Sequence, residues 1–307
     1  MPERVLITGV SGVIGRALSS ELERAGYTVL GAGRAEADLR DATQARALID
    51  QTGPDLVVHL AGRVHGLMGN IHSQGAAFYD NIQINTNVVE ASRLAGVRKV
   101  VAMGSTAVYS DIVPLPMKES DLWLGPPHGS EHGYAHAKRA MVAQLQAYRD
   151  QYGMDYAFVV STNLYGPGDR FDEAHGHVLP SLVSKFHRAV MQGDPVEVWG
   201  TGTPTRDFVY SADAAVALRM ILEQYTGTIN LATGTSVTIR EAVEILRRAS
   251  GYEGPIQWDA GKPDGQHARA YDVSRLTELG WSPATSLEAG LTATYRWYAD
   301  NHDAARR

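Results

Sequence analysis

The 307-residue chain predicts an α/β fold: a Rossmann-type doubly wound parallel sheet with a smaller C-terminal substrate-binding lobe. Three observations carry this. Short β-branched runs alternate with helical-period segments through the first half, the pattern of βαβ units. A glycine-rich turn follows the first of those runs. Beyond about Asn163 the texture changes: Gly, Pro and Asp thicken (NLYGPGDRFDEAHGH) and strands become scarce.

In chain order, Val5–Thr8 reads as the first strand and Gly15–Ala25 as the helix after it. Thr28–Gly31, Leu56–Leu60, Lys99–Met103 and Asp155–Val160 read as further strands, being short apolar runs bounded by turn residues. Asn85–Ala95 reads as a helix, as does the segment from Tyr134 to about Arg149. In the second half Val196–Trp199 and Thr228–Leu231 read as strands. Thr238-Ile239-Arg240-Glu241 is a capping-box pattern opening a helix to about Ser250, and Ser286 starts a helix that ends the chain. The expected division is a dinucleotide-binding domain over 1–165, completed by segments near 207–235, and a lobe over 166–307 interleaved with it.

Composition narrows the function. An apolar fraction of 44% suits one large domain with an added lobe. A net charge of −6 without blocks of like charge argues against nucleic-acid or membrane-surface partners. The lack of cysteine excludes disulfides, thiolate metal sites and a cysteine nucleophile or base. No run approaches a membrane span, and the start MPERVLITG enters a strand directly, so a cytoplasmic location is expected. No histidine pattern of the H-E-x-x-H kind occurs, and no metal is expected.

Thr8-Gly9-Val10-Ser11-Gly12-Val13-Ile14-Gly15 joins the first strand to the first helix. Gly9, Gly12 and Gly15 allow a tight turn and close approach of backbone to a pyrophosphate, which the helix N-terminus favours. A tight turn that holds no ligand is the plainer alternative. The second strand ends in LGAGRAEADLRD, with Arg34 where an NAD site would carry an acid. A guanidinium there pairs with a 2′-phosphate and favours NADP. Glu36 within reach of the ribose and Arg34 as a solvated loop charge stay open. Tyr134 and Lys138 lie four apart on one helical face, where an ammonium lowers a phenol's pKa. Ser105 precedes Tyr134 by 29 residues, at the C-terminal end of a strand.

Together these features resemble the extended short-chain dehydrogenase/reductase family. The resemblance implies that Ser105, Tyr134 and Lys138 are the catalytic set, with NADP(H) held at Gly9, Gly12, Val13, Ile14 and Gly15. Asp38-Leu39 is similar to the family's adenine-contacting pair, and Leu60-Ala61-Gly62 to the loop after its next nucleotide-contacting strand. Within the family the chain resembles the branch of GDP-L-fucose synthases, through RVHGLMGN at 63–70, GPPH at 125–128, STNLYGPGDRF at 161–171, GHVLP at 176–180, VWGTGTPTRDFVYSAD at 198–213 and KPDG at 262–265. That likeness implies a GDP-linked 4-keto sugar as substrate and a homodimer. It also implies His177 as an acid at the sugar, Lys185, Trp199, Arg206 and Arg269 on the nucleotide diphosphate sugar, and Thr106, Asn163 and Val178 lining the pocket. Lys185 as an ordinary exposed helix lysine is the plainer alternative.

One position departs from the branch. Two residues after the serine its members carry a cysteine base, and here Ala107 stands instead. Three readings remain: C4 reduction without epimerisation at C3 and C5, full epimerase-reductase chemistry with a substitute base such as His65, or a non-catalytic nucleotide-sugar-binding protein.

Overall fold

In the computed structural model, residues 2–64, 72–173, 176–262, 264 and 268–306 are described. The first strand, β1 (Arg4–Thr8), buries Val5, Leu6 and Ile7 completely, as a strand covered on both faces must. After it the chain runs α1 (Val13–Arg24), β2 (Thr28–Ala32), α2 (Ala42–Thr52), β3 (Leu56–His59), α3 (Gln74–Leu94), β4 (Lys99–Met103), α4 (His132–Tyr152) and β5 (Asp155–Ser161). The second half adds β6 (Asn163–Tyr165), α5 (Val178–Gln192), β7 (Val196–Trp199), β8 (Thr205–Arg206), β9 (Phe208–Tyr210), α6 (Ser211–Gln224) and β10 (Gly227–Leu231). It closes with β11 (Val237–Thr238), α7 (Ile239–Ser250), β12 (Ile256–Asp259), α8 (Ser274–Glu278) and α9 (Leu287–Asn301).

Six strands form one parallel sheet in the order β2-β1-β3-β4-β5-β10. Alternation along β1 feeds two cores: Leu6 packs with Val57, Val100, Val88 and Met141 on one face. Val5 and Ile7 pack with Leu18, Leu22, Leu218 and Ile221 on the other. A third core, around Phe171, Leu182, Phe186, Val198, Val243 and Tyr295, belongs to the C-terminal lobe. Successive strands move to opposite sides of β1, and the crevice beyond the strand ends at such a reversal is where open α/β sheets bind ligands.

The largest difference from the sequence expectation is α3, which begins at Gln74 rather than Asn85. Its first turns are fixed by tertiary contact: the Gln74 amide donates to the Gly129 and Ser130 carbonyls and accepts from the Gly133 N–H. The final helix stops at Asn301, short of the chain end. The capping box forms as read, with Thr238 Oγ1 accepting from the Glu241 N–H at 3.1 Å and Glu241 accepting from the Thr238 N–H at 2.7 Å.

Candidate active site

The turn after β1 is built by contacts that only glycine allows. Gly9 has φ +75°, and a Cβ there would lie 2.9 Å from the Ala61 amide nitrogen. A Cβ on Gly15 would lie 2.5 Å from the Gly9 carbonyl oxygen and 2.6 Å from Val10 Cα. One on Gly12 would meet only the Gly9 carbonyl, at 3.3 Å, so this glycine presents an open face. Val13 and Ile14 start α1, whose first amides have no partner within the helix. The residues fit a pyrophosphate at this turn. At the end of β2, Arg34 is exposed, while the Glu36 carboxylate accepts the Gly33 N–H at 2.6 Å. Asp38 is clamped by Arg40 at 2.9 and 2.5 Å, which holds its carboxyl down to about 2, and Leu39 is buried in the core.

Beneath the crevice a buried histidine ties β1, β3 and α3 together. Asn85 Oδ1 can only accept, so His59 Nε2 carries the proton to it, at 3.2 Å. His59 Nδ1 then accepts from the Thr8 hydroxyl at 2.7 Å, and that oxygen accepts the Ala61 N–H at 3.3 Å. Burial, together with the nearby Lys138 charge, pulls His59 down to about 3 and keeps it neutral. Leu60, Ala61 and Gly62 follow directly, and Lys138 Nζ is 3.8 Å from where a Gly62 Cβ would stand.

Lys138 is almost wholly buried, donates to the Met103 carbonyl at 2.7 Å, and is brought down by burial to about 8. Its ammonium lies 5.7 Å from the centre of the Tyr134 ring. The Ser105 hydroxyl accepts the Ala107 N–H at 3.2 Å and is close enough to the Tyr134 phenol to lower its pKa. Here one expectation is corrected. Burial pushes the phenol's pKa up rather than letting Lys138 lower it; the Glu131 charge adds to the rise, and Ser105 opposes it. Ala107 is buried in one small apolar cluster with Ala77, Tyr134 and Ala135.

On the lobe side, Arg269 Nη1 donates to the Thr106 hydroxyl at 3.3 Å and Nη2 pairs with Glu131 at 3.9 Å. Arg206 is pushed below its ordinary pKa by burial and then by the like charge of Arg269, an arrangement that an anion would relieve. His177 occupies the N-cap position of α5, without a capping bond from its side chain, and desolvation lowers its pKa while Glu131 opposes this. Val178, half-buried, follows it. Lys185 is not the exposed helix lysine of the plainer alternative: it is buried, donates to the Glu197 carbonyl at 2.9 Å and stands 5.4 Å from the Trp199 ring. Asn163 commits its amide to the Asp207 carbonyl at 3.1 Å. His65 lies outside the described residues. Sequence reasoning missed Glu131, although its place three residues before Tyr134 obeys the same helical spacing.

The fold and this grouping define a dinucleotide-binding domain carrying a second lobe, the build of an extended short-chain dehydrogenase/reductase. Residues 5–232 match the NAD dependent epimerase/dehydratase family, and the chain belongs to it. It is 37% identical over 302 residues to GDP-L-fucose synthase 1 of Arabidopsis thaliana, covering 97% of this chain and 94% of that one. A GDP-L-fucose synthetase from Naegleria fowleri, solved bound to NADP, superposes with a TM-score of 0.90 at 29% identity, covering 99% of this chain and 96% of that one. A GDP-6-OMe-4-keto-L-xylo-heptose reductase from Campylobacter jejuni superposes with a TM-score of 0.92 at 26% identity, covering 97% and 98% of the two chains. Among the described residues no helix is long and apolar enough to cross a membrane, and no cluster of His, Asp and Glu could hold a metal ion.

Proposed function

We propose that the protein is an NADPH-dependent reductase that reduces C4 of a GDP-linked 4-keto-6-deoxy sugar and leaves C3 and C5 as they arrive. One observation carries this reading: the Lys138 ammonium lies 5.7 Å from the Tyr134 ring, while position 107, in the same buried cluster as Tyr134, offers only a methyl. The glycine turn cradles the pyrophosphate, Arg34 pairs with the 2′-phosphate, and residues 1–165 with 207–235 form the cofactor half. Both an NADP-bound GDP-L-fucose synthetase and a GDP-keto-heptose reductase among the similar structures support the cofactor and substrate class.

When bound, NADPH supplies the hydride that reaches C4. The protein's own part is to hold and to protonate. Ser105 donates to the C4 carbonyl oxygen, and Tyr134 gives its proton as that oxygen becomes an alkoxide. A phenol kept protonated by burial suits the reducing direction. Lys138 holds the ribose hydroxyls, and Arg206 and Arg269 take the diphosphate. Epimerisation would need a base at C3 and C5 and an acid on the opposite face. Ala107, buried with Tyr134, has no base to offer.

The test is turnover in deuterated water with GDP-4-keto-6-deoxymannose and NADPH. NADPH is consumed, Tyr134→Phe lowers this by about 10²–10⁴-fold, the scale of lost proton transfer, and the product carries no deuterium at C3 or C5. Deuterium at either carbon would reject the reductase-only reading in favour of a substitute base. Tight nucleotide binding without turnover would favour a binding protein.

A further inference from the structure

Glu131 is a carboxylate that the reduction step does not use. It stands immediately before α4, one helical turn from Tyr134, with its side chain about one quarter exposed. Arg269 reaches it at 3.9 Å with one nitrogen while another holds the Thr106 hydroxyl at 3.3 Å. Its charge is felt by Tyr134, His177 and Arg206 as well. Glu131 thus lies between the pair that handles the carbonyl and the two guanidiniums suited to a diphosphate.

The chemistry of a sugar nucleotide gives that location a meaning. C1, which bears the diphosphate, and C4, the keto carbon, sit at opposite corners of a six-membered ring. Along one edge between them run the C2 and C3 hydroxyls. A carboxylate only accepts hydrogen bonds, so it pairs well with hydroxyls and badly with phosphate oxygens. Resting on the reading that the substrate is a 4-keto sugar nucleotide, we propose that Glu131 reads the ring hydroxyls at C2 or C3, with Arg269 holding the carboxylate at that edge.

This predicts two effects of opposite sign from one substitution. Without the carboxylate, the sugar loses its acceptor, while Arg269 loses the anion that competes with the diphosphate. Calorimetry of the NADP-loaded enzyme with GDP and with GDP-mannose reads both. Wild type binds GDP-mannose at least tenfold tighter than GDP. In Glu131→Ala that ratio falls toward one, while GDP itself binds as well or more tightly. Glu131→Gln, which keeps the shape and one carbonyl acceptor, retains part of the ratio. An unchanged ratio in the alanine variant overturns the proposal, as does a parallel weakening of both ligands, the mark of a structural role, or a wild-type ratio near one. NADPH oxidation by wild type with 4-keto sugar nucleotides is measured separately. Its absence sinks the catalytic reading, while the ratio decides the role of Glu131 on its own.

Discussion

Tyr134 and Lys138 share one face of α4, yet burial moves them in opposite directions, the phenol up and the ammonium down to about 8. The proposed reduction needs the first protonated and the second charged, which makes the lysine the limit at high pH. We expect kcat/KM for NADPH, which reports the free enzyme, to be level below pH 8 and to fall about tenfold per pH unit above it as the Lys138 charge is lost. A profile that stays level to pH 9.5 would remove Lys138 charge from the mechanism. The same residues show what a sequence can and cannot reveal. Ser105, Tyr134 and Lys138 are legible because a strand end and a helical period fix where they point. The bond from Arg269 to Thr106 spans 163 positions and depends on how the lobe folds back, which no local pattern encodes. Ala107 was visible as a departure; that it is buried in one cluster with Tyr134 was not.

At the scale of elements, the central strands are legible because burial on both faces makes them continuous apolar runs, and β4 forms as read from Lys99 to Met103. The two-residue strands β8 and β11 are not, since their pairing with each other is their only definition. Nor are the first turns of α3, whose polar and aromatic residues take their shape from contacts near α4. Two glycines in helices make the contrast testable. Gly15 leaves no room, its imagined Cβ striking backbone at 2.5 and 2.6 Å, whereas Gly75 in α3 has nothing within 4 Å and an ordinary φ. Gly15→Ala should therefore destabilise by about 1–3 kcal/mol through overpacking and raise the KM for NADPH at least tenfold by distorting the turn. Gly75→Ala should leave KM alone and stabilise by up to about 1 kcal/mol through helix propensity. Thermal melts with NADPH kinetics would decide, and equal effects of the two variants would show that the turn is not what these contacts hold in shape.

For the whole molecule, the junction between the lobes rests on the loop after β6. Phe171 donates its N–H to the Arg306 carbonyl at 2.8 Å, and the Arg306 guanidinium donates to the Ser11 carbonyl of the cofactor turn at 3.2 Å. Within this loop Asp169 is buried; Oδ1 accepts the Arg170 N–H at 2.7 Å, and Oδ2 is buried without a hydrogen-bond partner. Burial lifts the carboxyl to about 7, against the Arg170 bond and the Arg306 charge, which pull it down. An acid raised in the folded state binds a proton that the unfolded chain releases. Its contribution is thus complete below pH 4 and is lost as the pH rises to about 7, on the order of a few kcal/mol over that window. Asp169→Asn carries no charge to bury and escapes the loss. Below pH 4 the variant and wild type should melt at similar temperatures, and by pH 7.5 the variant should melt several degrees higher. Comparing the two chains at each pH cancels the titration of every other carboxylate. A melting difference that stays constant from pH 4 to 7.5 would show that the carboxyl at this junction ionises as freely folded as unfolded, and that the junction is held by Arg306 and the loop backbone alone.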